Sequence, residues 1–112
     1  MSPASATPRT TRLAPVFAAL GDPTRLVLMT RLCGGRPLSI AQLTMGTKVT
    51  RQAVTKHLSV LAVAGLVSDF RGGRERLWQP EPRGLDEASR YLEVIGRRWD
   101  AALERLKRFV ER

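Results

Sequence analysis

Apolar residues first take on a helical period at Leu13, Val16, Phe17 and Leu20, and Gly21 closes that run as a C-terminal cap would. Asp22-Pro23 marks a second start, because Asp accepts hydrogen bonds from the free N–H groups of a first turn and Pro fits the first helical position. Leu26, Val27, Met29, Thr30 and Cys33 carry this helix to Gly34-Gly35, with Pro37 beyond. A short third segment runs from about Ser39 to Met45, with Ser39 as N-cap and Ile40 and Leu43 facing inward. After Gly46, Thr50 caps a longer helix whose apolar positions are Val54, Leu58, Leu61 and Ala62 and which Gly65 closes. Two helices joined by a short Gly-containing turn and followed by a strand-like stretch have the spacing of a helix-turn-helix. The helix at about 50–65 would be its reader.

Leu66 to Phe70 and Arg76 to Pro80 are rich in Val, Phe, Leu and Trp on either side of Gly72-Gly73, which predicts a two-residue hairpin, a wing over about 67–80. With that turn, Asp69 falls opposite Arg76 and Val67 opposite Trp78. Pro80 and Pro82 end the hairpin and open a linker. From Leu85 to Val110, Leu85, Ala88, Leu92, Ile95, Trp99, Ala102, Leu106 and Phe109 alternate three and four apart, a seam that Leu103 and Val110 widen. A long helix with one apolar stripe needs something to lie on, and a second copy is the economical cover. The expected fold is mainly α with a small β-hairpin: a winged helix-turn-helix with a long C-terminal dimerisation helix. It would occupy residues 13–112, with residues 1–12, which show no helical or strand period, as a flexible N-terminal arm. The expected homodimer contacts are Leu13, Val16, Phe17, Leu92, Ile95, Trp99, Leu103, Leu106 and Phe109.

Charge changes this picture from a fold to a partner. In 112 residues, 19 Lys and Arg face 10 Asp and Glu, a formal charge of +9 that favours a polyanion. No apolar run approaches the ~20 residues of a membrane span, and residues 1–12 lack the apolar core of a secretory signal, so a cytoplasmic protein is expected. The single cysteine, Cys33, can neither close an intramolecular disulfide nor supply a multi-cysteine zinc site. The glycine pairs lack the Gly-Lys-Ser/Thr of a phosphate loop, and a Cys-His nucleophile would have to join Cys33 to His57, both of which have structural explanations. No enzyme, metal or cofactor is expected.

On the reading helix the buried face is fixed by Val54, Leu58 and Leu61, which leaves Arg51, Gln52, Thr55, Lys56 and Ser59 largely on the other side. Arg addresses guanine O6 and N7 bidentately, Gln does the same for adenine, and Thr bonds or touches a thymine methyl, so the first two turns suit base edges of double-stranded DNA. Lys56 suits a phosphate. His57 joins this set as a neighbour, with a partly buried imidazole bonded to backbone or phosphate as its plainer account. In the wing, Arg71, Arg74 and Arg76 flank the two glycines and could follow a phosphate backbone, or simply guard a strand edge. Cys33 reads as a small core residue or a redox thiol. Two rival functions stay open: a winged-helix module for a protein or RNA partner, and a thiol-responsive switch through Cys33.

The run Leu20-Gly21-Asp22-Pro23-Thr24-Arg25-Leu26, with Val54-Thr55-Lys56-His57-Leu58-Ser59-Val60-Leu61 and Ala64-Gly65-Leu66-Val67, resembles the ArsR/SmtB family of winged-helix repressors over about residues 13–110. The resemblance implies a homodimeric DNA-binding transcriptional repressor paired through its first and last helices, released from operator DNA by a signal, with base contacts at Arg51, Gln52, Thr55 and Lys56. Many members hold metal through a Cys-Val-Cys motif entering the helix-turn-helix, where this chain has Leu38-Ser39-Ile40-Ala41-Gln42-Leu43. Others use Asp and His ligands on the last helix, which here has acids but no histidine. The closing Trp99-Asp100-Ala101-Ala102-Leu103-Glu104-Arg105-Leu106-Lys107 looks like a metal-independent branch, for which the resemblance assigns no inducing signal.

Overall fold

Caps and glycines set the element boundaries of the computed structural model, which describes residues 8–111. Helix α1 runs Pro8–Leu20 and α2 Pro23–Leu32, with the Asp22 carboxylate accepting the Arg25 N–H as N-cap and Pro23 in the first turn. A two-residue strand, β1 (Leu38–Ser39), leads into α3 (Ile40–Thr44). Ser39 and Gln42 form a reciprocal capping box there, Ser39 Oγ accepting from Gln42 N at 3.2 Å and Gln42 Oε1 from Ser39 N at 2.9 Å. Helix α4 (Arg51–Val63) is capped by Thr50, whose hydroxyl accepts from Ala53 N, and Gly65 turns the chain at φ +80° into the hairpin. Strands β2 (Val67–Gly72) and β3 (Glu75–Pro80) follow, and α5 spans Pro82–Val110.

The expected arm over residues 1–12 lies outside the described residues as far as residue 7, and residues 8–12 are already helical. Helix α1 runs through Pro15 instead of starting just before it. At the other end, α5 begins at Pro82 rather than Leu85. That proline occupies the first turn, where its missing N–H is not needed, so the sequence between hairpin and helix is not a linker.

One core unites these elements. Leu13, Leu28, Leu32, Leu43, Val54, Leu58, Leu61 and Leu66 are sealed from solvent, with Trp78 from β3 and Ala88 from α5 completing the cluster. The sheet has the order β1-β3-β2, all antiparallel, and its short third strand pairs Leu38 with Trp78 and Ser39 with Leu77. Two residues are too few to show a period of two, and the sequence reading has only the hairpin.

The hairpin register also differs from the expected one. Gly72 pairs with Glu75, Asp69 with Trp78 and Val67 with Pro80, so the turn is Gly73-Arg74. Of these two glycines, Gly73 alone adopts positive φ (+68°). Gly72 is an extended strand residue and leaves the turn to its neighbour. The expected Asp69–Arg76 charge pair survives as a diagonal contact of 2.9 Å rather than a directly opposed one.

Among the described residues, helix α5 is fastened to the rest at its start. Glu81 N donates to Leu66 O at 2.9 Å, and Gly84 lies so close to the α4–β2 turn that a Cβ would come within 2.0 Å of Gly65 O. Phe17 and Tyr91 rings meet at 6.0 Å, and Arg12 pairs with Glu87 at 3.4 Å. Beyond Tyr91 the seam is bare, with Trp99 65% and Phe109 70% exposed and Leu92, Ile95, Leu103 and Leu106 open as well. The molecule is accordingly long, 65 × 31 × 22 Å.

Candidate nucleic-acid interface

Helix α4 presents Arg51, Gln52, Thr55, Lys56 and Ser59 to solvent, while Val54, Leu58 and Leu61 anchor its opposite side in the core. The Thr55 hydroxyl donates to Arg51 O at 2.9 Å, which leaves its lone pairs free to accept, on an exposed side chain. An exposed helix N-terminus with two cations, an amide and a methyl within two turns matches what a major groove offers.

His57 departs from the expected DNA-facing set. It is half-buried and turned toward α2, with Nδ1 3.2 Å from Arg25 Nη1 and 3.9 Å from Asp22 Oδ2. A guanidinium only donates, so Nδ1 accepts and the proton of the neutral ring sits on Nε2. Position explains the difference: residue 57 follows 54 by three, one turn along the buried side, whereas its sequence neighbour Lys56 faces out.

Two arginines that sequence reasoning passed over hold the helix-turn-helix together. Arg25 donates through Nε to Ala19 O at 2.6 Å, so one guanidinium ties the end of α1 to α4 through His57. Arg31 reaches from α2 to three carbonyls around the end of α3: Leu43 O at 2.6 Å, Met45 O at 2.9 Å and Gln42 O at 2.7 Å. A five-residue helix leaves most of its carbonyls without partners, and Arg31 satisfies them with charge-assisted bonds. The cap of α2 is electrostatically set as well. The Arg25 backbone N–H lowers the Asp22 carboxyl below its ordinary value, against desolvation and with help from the Arg25 charge.

All three wing arginines are exposed, Arg71 directly across from Arg76. Arg76 is engaged by Asp69, whereas Arg71 and Arg74 meet no carboxylate among the described residues. The basic surplus is concentrated in this part of the chain: residues 1–81 hold eleven Lys and Arg against four Asp and Glu, residues 82–112 eight against six.

The expected dimer contacts divide in two. Leu13 and Val16 are only 1% and 7% exposed within a single chain, so they belong to its own core, where the same three-residue spacing serves α2 and α4. Phe17 is partly covered by Tyr91. Leu92, Ile95, Trp99, Leu103, Leu106 and Phe109 stand exposed along one helix. Cys33 is not a core residue. It is the exposed C-cap of α2, and among the described residues no three His, Cys, Asp or Glu side chains gather as metal ligands.

A helix-turn-helix domain model matches residues 20–69. An HTH-type transcriptional regulator of Mycobacterium tuberculosis is 42% identical over 69 residues, a match spanning 62% of this chain and 64% of that protein, less than two thirds of its length. The structure of an ArsR-like transcriptional regulator from Rhodococcus sp. RHA1 superposes with a TM-score of 0.71 at 39% identity, covering 88% of this chain and 92% of that one. A homodimeric winged helix-turn-helix DNA-binding domain from Mycobacterium bovis shares the fold at 24% identity, with a TM-score of 0.62 over 90% of this chain and 94% of its own.

Proposed function

We propose, because the chain belongs to the ArsR family of winged helix-turn-helix transcriptional regulators, that it works as a homodimeric repressor of a palindromic operator. The observation that carries the dimer is the uncovered seam of α5, six large apolar side chains on one helix stripe. The M. bovis neighbour, described as homodimeric, supports it. Two copies joined along α5 would offer two α4 helices to successive major grooves, about 10 to 10.5 base pairs between half-site centres.

In this reading Arg51 and Gln52 address base edges, Thr55 a methyl or donor, and Ser59 the far side of the groove, while Lys56 binds phosphate. Arg71 and Arg74 extend the phosphate contacts from the wing, with Arg76 held back by Asp69. The dimer would act in the cytoplasm, occlude polymerase, and include its own upstream DNA among its sites. Among the described residues no helix is long and apolar enough to cross a membrane.

The test is a titration of the dimer against its upstream DNA and a scrambled duplex. A large affinity ratio is expected, and a dimer neutralising ~6 to 10 phosphates should lose ~10³ to 10⁵ in affinity between 50 and 200 mM salt. Arg51→Ala should weaken the cognate duplex more than the scrambled one, and Arg74→Ala both alike. Equal losses for Arg51→Ala would remove base reading from α4.

A further inference from the structure

A groove of about 490 Å³ lies between α1 and the flank of α4, walled by Pro15, Ala18 and Ala19 on one side and Val60 and Val63 on the other. Its size is that of a small-molecule site. Apart from Ser59 and Arg25 the lining is apolar, and Val60 and Val63 are left 42% and 92% exposed along it, two solvent-facing valines on one helix flank. Against these walls the groove holds one charged side chain, Arg25.

That cation is only partly used. Its Nε is bound to Ala19 O and its Nη1 to His57 Nδ1, while Nη2 meets no acceptor among the described residues. An apolar trough with a spare guanidinium donor is complementary to a ligand with an apolar body and one carboxylate. The same guanidinium is what links α1 to α4, through a neutral imidazole acceptor. A carboxylate is the stronger acceptor and would draw Nη1 away from His57.

We propose that the α1–α4 groove is an effector site for a small amphipathic carboxylate, whose head seats on Arg25 and whose arrival releases His57 and loosens α4. The proposal deepens, and rests on, the reading of α4 as the DNA-contacting helix. The ligand's apolar tail covers Val60 and Val63, and its binding lowers affinity for the operator by coupling through one residue.

The experiment uses the full chain and decanoate below its micelle concentration, with decanamide as the uncharged match. Methyl NMR of the DNA-free protein follows Ala18, Val60 and Val63, and fluorescence polarisation follows the upstream duplex. Decanoate should shift those methyls and weaken duplex binding about tenfold, within the usual span of coupling between sites. Decanamide should do neither. Ala18→Trp fills the groove from α1, away from the reading face, and should abolish both responses while leaving duplex affinity within about twofold. Methyls silent to decanoate, or equal shifts with decanamide, overturn the site, as do contacts from α5 of a second copy already covering these methyls. Methyl shifts with unchanged duplex affinity overturn the coupling. A chain that binds no duplex overturns the DNA reading instead, and the methyl titration still decides the site.

Discussion

Residues 8–81 build a sealed core from their own apolar side chains, and α5 does not. All eight of the fully sealed core side chains come from the stretch between Leu13 and Leu66, whereas α5 adds only Ala88 to the buried set. Both regions are rich in leucine, so composition does not separate them. What separates them is geometry: α1 to α4 pack around one another, while a 29-residue helix extends about 43 Å and soon leaves the neighbours that could cover it. The charge follows the same division, since the packed region carries most of the basic surplus. A head that is complete in one chain can present a fixed surface, and in the proposed dimer the incomplete rod would set how many heads act together.

The largest expected effect comes from breaking the rod. Six half-exposed apolar side chains per helix, at about 1 kcal/mol each for the remaining burial, give a pair of helices about 12 kcal/mol. Association itself opposes this with roughly 4–15 kcal/mol. With so narrow a margin one substitution decides the outcome. Leu106→Glu puts two charges into the seam of a dimer and should weaken association by about 4 kcal/mol, close to a thousandfold in Kd. Sedimentation should report single chains, while amide protection in α2 and α4 stays unchanged. Loss of protection there would mean that the head is not complete without its partner.

Next comes the junction. Gly84→Ala forces a Cβ to within 2.0 Å of the Gly65 carbonyl oxygen, a backbone atom that no rotamer change can move aside. Destabilisation of about 3 kcal/mol is expected, from overpacking that must shift α5 or the α4–β2 turn. Thermal unfolding should show it as a lowered midpoint. A wild-type midpoint would mean that α5 is not seated here.

The comparison also explains which parts of the molecule were legible in its sequence. Asp22, Ser39, Thr50 and Gly65 could be placed because a cap is a local event, decided by one residue type against the four N–H or C=O groups next to it. The seam of α5 was legible for the same reason, a period needing no knowledge of what covers it. Leu13 and Val16 were misassigned because an apolar stripe does not say whose core it enters. The first helix is read from Leu13 because its apolar period begins there, and the polar turn from Pro8 onward carries no such period. Gly72-Gly73 contained the right turn residue, but two adjacent glycines suit a turn equally and neither the charge pair nor the apolar pair fixes the register by itself. Arg25 and Arg31 were invisible: each reaches acceptors on another element, and a surface arginine looks the same in sequence whether or not it does so.

Arg31 supplies the third test, confined to the head. Arg31→Met keeps the stem but removes bonds to three carbonyls, and about 2 kcal/mol of stability should go with them. At ~4–8 °C per kcal/mol for a domain of this class, the melting midpoint should fall by roughly 10 °C. The dimer should persist at concentrations where the head is folded, the converse of Leu106→Glu. If Arg31→Met lowered association as strongly as stability, head and rod would not be separable.

The smallest effect is electrostatic and sits where α1 hands over to α2. The Asp22 carboxyl is lowered in the folded chain chiefly by the Arg25 backbone N–H, with the Arg25 charge acting in the same direction. A carboxyl whose folded value lies below its unfolded one stabilises the fold while ionised. The contribution is therefore complete above the ordinary Asp value of 3.8 and is lost as pH falls through it toward the lowered folded value. Asp22→Asn keeps a good N-cap acceptor and removes only the charge. The variant should be the less stable of the two at neutral pH, and urea midpoints of the two chains should converge below pH 4. Parallel curves down to pH 2 would show that the Asp22 charge adds nothing at this corner and that only the cap matters. Because no hydrogen bond or ion pair among the described residues joins α5 to these groups, the same convergence should appear in the Leu106→Glu background, where the head stands alone.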